Sequence, residues 1–374
     1  MITASENTNG IASETTPTTT ISTTASTVDA NDVNGTSQTT TTGNANEAMK
    51  EITMKQLYEQ STQYKYWRFT QSALDDMRNK LNDEVIASIK EGDNVPEDFE
   101  FVNVAEELAL MGYYERRIVQ IFKHWKLPSY VSATAIAYMK RFFLENTMVD
   151  YHPKDVMLTC MFLARKTENY LLAIEDFSSV LKSPAQPILN LEFLVCKSLR
   201  FHFTVHHPYR PCLGFFYDMQ AVADSIEKLQ KVYEKALTLI DTSLHTDLGF
   251  LYQPSQIALA ALKMACKEES YDFEKYANYK FKSNESTSQK YNETLFPILK
   301  AIEKALTEDP RCHEGDKLAL KDIDQRLKKC TELANSPSNL SKRKRIEPNG
   351  DDDDDDDDDE RLDKRAKTDN DNSE

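Results

Sequence analysis

The chain has 374 residues and a formal net charge of −16. Fourteen acidic against four basic side chains in residues 351–374 supply −10 of it, and four acids with no Lys or Arg in the first 46 residues supply −4, so about −2 is left for the rest. A body so near neutrality excludes proteins that coat DNA or an anionic membrane through a basic surface. Five of the nine glycines fall between the two ends, too few for the φ > 0 turns of dinucleotide folds, hairpin-rich sheets or phosphate loops. The six cysteines (Cys160, Cys196, Cys212, Cys266, Cys312, Cys330) stand singly with no C-x-x-C pair. That spacing suggests neither a disulfide framework nor a zinc ribbon, and it fits a reducing compartment. No basic start followed by an apolar core opens the chain, and the longest apolar stretch, near Val156 to Ala164, is far short of the roughly 20 residues a membrane span needs.

Residues 1–46 are rich in Thr, Ser, Asn and Ala and contain no Leu or aromatic residue, so a disordered tail is predicted there. The middle of about 290 residues is amphipathic and reads as helical nearly throughout. Val104, Leu108, Met111, Ile118, Phe122 and Trp125 recur at three- and four-residue steps, which predicts one helix from about Asn103 to Lys123. Pro128 breaks it, and a second helix starts at about Ser129. Ala133, Ala135 and Ala137 make that helix slim ahead of Tyr138, Met139, Phe142 and Phe143, as suits a helix surrounded by others in a bundle. A third begins at Pro153, whose fixed φ suits a first turn. From about Ser336 the chain turns basic and then acidic, and the block of like charge predicts disorder again over 336–374.

At an offset of 101 residues the chain matches itself: YHPKDVMLTCMFLARKTE (151–168) aligns without a gap on YQPSQIALAALKMACKEE (252–269). Tyr151/Tyr252, Pro153/Pro254, Leu158/Leu259, Ala164/Ala265, Lys166/Lys267 and Glu168/Glu269 are identical pairs. A period near 100 residues is a domain and not a solenoid unit, so the expectation is two copies of one helical domain in tandem.

Three stretches resemble the cyclin family, and within it the cyclin H type found in the transcription factor TFIIH. They are YYERRIVQIF with SATAIAYMKRFFLENTMVDYHPKDVMLTCMFLARK (113–166), LRFHFTVHHPYRP (199–211) and YQPSQIALAAL (252–262), with weaker flanking similarity at YWRFT (66–70). The resemblance covers roughly residues 55–335. It implies an all-α protein with two tandem cyclin boxes, the first at 101–206 and the second at 207–310. A helical extension at 47–100 and a C-terminal helix at 311–335 would flank them, with the helices near Leu57–Arg78 and Lys317–Leu333 packed together or against the first box.

Its implied role is regulatory. The first box would press on the mobile helix of a cyclin-dependent kinase, in a complex with a RING-finger assembly subunit, and the kinase would phosphorylate the RNA polymerase II C-terminal domain or activate other cyclin-dependent kinases. By resemblance Lys166 and Glu192 hydrogen-bond the kinase backbone and Phe201 makes an apolar kinase contact. The family often has two acids after the lysine; here Thr167, Glu168 and Asn169 follow, and Asn169 weakens the expectation of a second acidic contact.

Cyclin C and cyclin T types are the next candidates, and a TFIIB-like DNA-binding factor is a rival that would want a zinc ribbon and a basic second box. No P-loop, H-E-x-x-H or G-x-S-x-G motif is present, and no catalytic site, cofactor or metal is expected. His202, His206 and His207 cluster without Cys or carboxylate at ligand spacing and read as connector residues. SKRKR with Lys342, Arg343, Lys344 and Arg345, and DKRAK with Lys364 and Arg365, bracket the aspartate run and resemble a bipartite nuclear import signal, which implies a nuclear protein.

Overall fold

The computed structural model describes residues 58–92 and 95–336. The predicted tail at 1–46, and that at 336–374 apart from Ser336, lie outside the described residues. Every regular element described is helical. The chain begins with α1 (Thr62–Tyr66) and α2 (Gln71–Lys90), capped by the side chains of Ser61 and Thr70. Five helices follow: α3 (Val104–His124), α4 (Ser129–Phe142), α5 (Pro153–Thr167), α6 (Ile174–Leu181) and α7 (Ala185–Ser198). A second group comprises α8 (Tyr209–Met219), α9 (Ile226–Ser243), the one-turn α10 (Leu248–Leu251), α11 (Pro254–Glu268), α12 (Phe273–Phe281), α13 (Glu285–Lys290) and α14 (Phe296–Glu308). The long α15 (Lys317–Ala334) closes the fold.

Local chemistry sets the helix ends. Asn103 and Glu106 exchange hydrogen bonds in a reciprocal capping box at the start of α3. Pro153 and Pro254 occupy the first turns of α5 and α11, where the missing N–H costs nothing. The helix predicted from about Ser129 is α4, and from Val131 to Phe142 all its residues but Ala137 are buried. It packs against both α3 and α5, as its slim alanine stretch permits. The N-terminal helix differs from expectation. It is interrupted at Trp67–Thr70 and resumes as far as Lys90, because Phe69 donates its N–H to the Phe250 carbonyl at 2.9 Å and Arg68 reaches the Leu251 carbonyl at 3.0 Å.

The duplication is structural. In each group the repeated helix is the central one, α5 between α4 and α7, and α11 between α8, α9 and α14. Both also end the same way. Asn169 (φ 63°) and Ser270 (φ 51°) take the left-handed conformation, and Tyr170 and Tyr271 each donate an N–H of 2.8 Å back to Arg165 and Cys266. Non-glycine residues hold these turns and others at Lys126, Lys182, Arg200 and Phe201, which is how a glycine-poor chain still reverses direction.

Each group has its own apolar core, one around Ile118, Tyr138, Phe142 and Phe177, the other around Ile240, Leu262, Tyr276 and Leu299. The α15 helix returns to pack on α2 and α3 and adds Leu327 and Cys330 to the first core. Arg326 pairs with Glu106, His152 Nε2 meets Asp324 at 3.1 Å, and Thr331 donates to the Val149 carbonyl at 2.9 Å.

A buried ionic network joins all these parts. Arg78 of α2 grips Asp247 through two hydrogen bonds of 2.7 and 2.8 Å, and Arg311, just after α14, adds a third at 2.9 Å. Beside it Glu115 of α3 pairs with Lys140 of α4 at 3.5 Å and with His245 at 3.1 Å. Burial works to raise the Asp247 carboxyl, but Arg78, with Lys140 and Arg311, holds it well below the usual carboxylate range. Burial likewise opposes the Glu115 charge, and Lys140 and His245 overcome it.

Removing one member strands the others. Arg78→Ala should cost about 3–5 kcal/mol in chemical denaturation, whereas Lys80→Ala, which breaks an exposed i,i+4 pair with Glu84, should cost no more than about 0.5 kcal/mol. The sign of the pH dependence follows from the depressed carboxyls. Their stabilisation is complete above the unfolded value, 3.8 for an aspartate, and is lost as pH falls through the lower folded value. Melting curves should therefore show stability falling steeply below about pH 4, with a shallower fall for Asp247→Asn.

Candidate functional site

The last turn of α5 and the outer side of α7 form one surface with the turn that follows α7. Lys166 stands near the C-terminus of α5, where the helix dipole favours a cation. Glu192 projects from the middle of α7, and the two side chains meet at 2.6 Å, Lys166 45% and Glu192 19% exposed. The Lys166 ammonium also lies 5.3 Å from the centre of the Phe162 ring. A pair this open adds little to folding stability, of the order of 0–1 kcal/mol, so stability alone does not account for its placement.

Phe201 is 56% exposed, and its ring centre lies 6.4 Å from that of Phe193 on α7, itself 57% exposed. Leu189, one turn earlier, is exposed as well. The structure thus brings Lys166 and Glu192 into direct contact and sets Phe201 in an apolar cluster that includes a neighbour of Glu192. Reading the sequence had not singled out Leu189 and Phe193. The signal was there: α7 carries apolar residues on two sides, Ile188, Leu194 and Val195 facing the core and Leu189 and Phe193 facing outward.

Phe201 is held in an unusual backbone. Arg200 (φ 52°) and Phe201 (φ 56°) are successive left-handed residues, a conformation that side chains other than glycine adopt at a cost of about 1–2 kcal/mol each. Several bonds hold the turn. The Phe201 N–H reaches the Cys196 carbonyl at 3.0 Å, and Arg200 pairs with Glu145 at 3.0 Å. The Tyr138 hydroxyl donates to the Phe203 carbonyl at 2.6 Å and lies 3.0 Å from Thr167 Oγ1, tying the connector to the end of α5. Strain held in place by its surroundings is common where a side chain is displayed for recognition.

Other candidate residues serve different ends. Glu168 turns inward and accepts from Thr134 Oγ1 at 2.6 Å, while Asn169 occupies the left-handed cap of α5, a position asparagine tolerates and aspartate shares less readily. The three histidines diverge. His202 stacks on Tyr66 with ring centres 5.0 Å apart, His206 exchanges backbone hydrogen bonds with the Gln63 amide, and His207 Nε2 lies 2.8 Å from Thr134 Oγ1. Burial, together with the nearby Arg141 charge, pushes His207 down to about 3, so it is neutral at physiological pH. Among the described residues no group of three or more His, Cys, Asp or Glu is placed to hold a metal ion. Lys342, Arg343, Lys344, Arg345, Lys364 and Arg365 lie outside the described residues.

A charged pair bordered by exposed aromatic and aliphatic side chains is suited to docking another protein, the rings supplying area and the pair supplying register. Two family models match the chain: the cyclin N-terminal domain over residues 112–204 and the cyclin C-terminal domain over 207–334. Cyclin CCL1 of Saccharomyces cerevisiae is 34% identical over 64% of this chain and 65% of its own length, a little under two thirds. A putative cyclin-H of Dictyostelium discoideum is 35% identical over 55% of this chain and 75% of its own. Cyclin-H of Xenopus laevis is 32% identical over 59% and 72%.

Among solved structures, a chain of the CAK complex of Chaetomium thermophilum superposes with a TM-score of 0.65 at 27% identity, covering 79% of this chain and 97% of that one. A chain of the yeast TFIIK complex superposes with a TM-score of 0.55 at 31% identity, covering 67% and 100%. Two tandem helical boxes that match both domain models, with relatives of this similarity, establish that the chain belongs to the cyclin family.

Proposed function

We propose that this cyclin is the regulatory subunit of the cyclin-dependent kinase of TFIIH. The observation that carries the reading is the joint one: a Lys166–Glu192 pair at 2.6 Å beside the exposed Phe193 and Phe201, on a fold similar to chains of the CAK and TFIIK complexes. In this reading the face formed by α5, α7 and Phe201 packs against the mobile regulatory helix of the kinase and pushes it inward. The kinase's own Lys–Glu pair and activation segment then assemble, and all phosphoryl transfer takes place on the kinase. The catalytic chemistry belongs to the partner; the cyclin supplies a rigid surface whose shape selects the active arrangement.

Lys166 has donors beyond the one given to Glu192, and these suit kinase backbone carbonyls exposed when a loop is reshaped. Glu192 orients the ammonium and offers an acceptor of its own. Phe201 and Phe193 add the apolar area. The substrates in this reading are the C-terminal domain of RNA polymerase II in transcription initiation and, where the complex also serves as a CDK-activating kinase, other cyclin-dependent kinases. A RING-finger subunit completes the assembly, and the protein works in the nucleus. The domain limits that go with this reading are a first box at 101–206, a second at 207–310 and a C-terminal helix at 311–335, with the helical extension at 47–100 before them.

The experiment is purification of the tagged protein from its own cells and identification of the associated kinase. A TFIIH-type kinase supports the reading. A kinase of the cyclin C or cyclin T class, or salt-sensitive binding of promoter DNA with no kinase, overturns it. On the recombinant complex, Lys166→Ala and Glu192→Ala should each weaken kinase association about tenfold to a hundredfold, the loss of a charged hydrogen bond worth roughly 1.5–3 kcal/mol. The double variant should lose less than the sum of the two, since each removes the other's partner. Unchanged melting temperatures would assign the loss to the interface.

The basic clusters at 342–345 and 364–365 are proposed to act as an import signal. Deleting residues 341–367 should reduce nuclear accumulation of the tagged protein when the kinase is depleted, a background that removes import by way of the partner.

A further inference from the structure

Trp67 stands where the N-terminal helices break, between α1 and α2, and is 3% exposed. The break is held by α10, through the bonds of Phe69 and Arg68 to the Phe250 and Leu251 carbonyls. Trp67 itself packs in a small apolar cluster with Leu74, Leu144 and Phe250, separate from the two large cores. Its indole ring serves two cations. The Arg141 guanidinium lies 4.7 Å from the ring centre and that of Arg200 6.0 Å, the second at the outer limit of cation–π attraction.

Both cations belong to the mounting of Phe201. Arg141 donates to the carbonyl of His202, the residue after Phe201, at 3.1 Å. Arg200 comes immediately before it, and its other partner, at 3.0 Å, is Glu145, which follows Leu144 of the tryptophan's own cluster. The His202 ring stacks on Tyr66 and meets the Trp67 ring edge to face, with centres 6.4 Å apart. One buried ring thus touches groups on both sides of Phe201, in a turn whose two left-handed residues need support from outside. The buried Arg141 guanidinium needs compensation for its lost hydration, and a carbonyl and an indole face supply it. Leucine in place of the tryptophan would keep apolar contact with Leu74 and Phe250 but remove the π face that the cations use.

We infer that Trp67 is a positioning residue for kinase docking: by holding Arg141, Arg200 and His202 it fixes the left-handed turn and so sets the direction in which Phe201 is displayed. This rests on the proposed role of Phe201 as a kinase contact and adds to it a residue buried beneath the docking face. At 3% exposure Trp67 acts through Phe201 and not by touching the partner. Because α10 holds the break that carries Trp67, the same path links the second group of helices to a docking face built on the first. Lys166 and Glu192 pair directly with each other across α5 and α7, so the polar part of the face does not depend on Trp67.

The test measures the dissociation constant of the full chain and the recombinant TFIIH-type kinase, with Tm recorded for each variant. Trp67→Leu should weaken association about tenfold, while Trp67→Phe, which keeps a ring for the cations, should lose no more than about threefold. Two double-variant cycles decide how the loss arises. Trp67→Leu should cost less than about twofold once Phe201→Ala is present, yet keep its full effect beside Lys166→Ala. A general loss of stability would add to both. Should Trp67→Leu not fold, Arg200→Gln carries the same cycles, since it removes one cation from a side chain 31% exposed and leaves the buried cluster intact. The inference is overturned by an effect that persists in full beside Phe201→Ala, or by equal losses in Trp67→Leu and Trp67→Phe. Unchanged association in Trp67→Leu, with Phe201→Ala weakened, overturns the inference and leaves the docking face standing. Unchanged association in Phe201→Ala itself overturns both.

Discussion

Asp247 is the point at which the parts of this molecule are joined. Its carboxylate, 3% exposed, takes two hydrogen bonds from Arg78 of the N-terminal helix and one from Arg311 of the segment leading to α15. Lys140 and Glu115 from the first box stand alongside, and the Lys140 ammonium donates to the Thr246 carbonyl of the second. A charge so placed is tolerated only when every partner is present, since removing one leaves the others buried and unpaired. The apolar cores hold each box together without specifying how one box sits on the other. Directional bonds do specify it: those from Arg78 and Arg311 to the Asp247 carboxylate tie the N-terminal helix and the segment before α15 to the second box, and the bond from Lys140 to the Thr246 carbonyl ties the first box to the second.

Under the proposed function that rigidity matters, because the surface has to impose a shape on the kinase. The Lys166–Glu192 pair and Phe201 come from α5, α7 and the turn beyond α7. Tyr138 ties the end of α5 to the connector, Arg200 pairs with Glu145, and His202 stacks on Tyr66. Two left-handed residues in succession persist because these contacts over-determine the turn. The N-terminal segment therefore supports the backbone that displays Phe201.

The duplication separates scaffold from site. The two repeated helices share their opening proline, their buried stripe and their left-handed ends. Lys166 and Lys267 are equivalent by sequence, yet only the first has a glutamate from a neighbouring helix seated against it at 2.6 Å in this structure's ion pairs among the described residues. In the second box the adjacent Glu268 pairs instead with Lys235 at 2.8 Å. The repeat conserves a way of packing helices, and the surface chemistry was placed on one copy.

Helix starts at 103, 129 and 153 were legible because caps and prolines act within a few residues of themselves. The break at Trp67–Thr70 was not, since the groups that satisfy it, the carbonyls of Phe250 and Leu251, lie about 180 residues away in the chain. Leu189 and Phe193 could not be told from core residues in a string of letters, because hydrophobicity does not say on which side of a helix the neighbours lie. The candidate residues Lys166, Glu192 and Phe201 came from resemblance to a family, and only folding brings the first two to 2.6 Å. By itself the sequence determined an all-helical chain, the tandem repeat and the location of the charge at the two ends, all properties of local pattern and composition. The tertiary structure alone decided the ionic junction at Asp247 and which side of α7 is left exposed, because each depends on where groups far apart in the chain come to lie against one another.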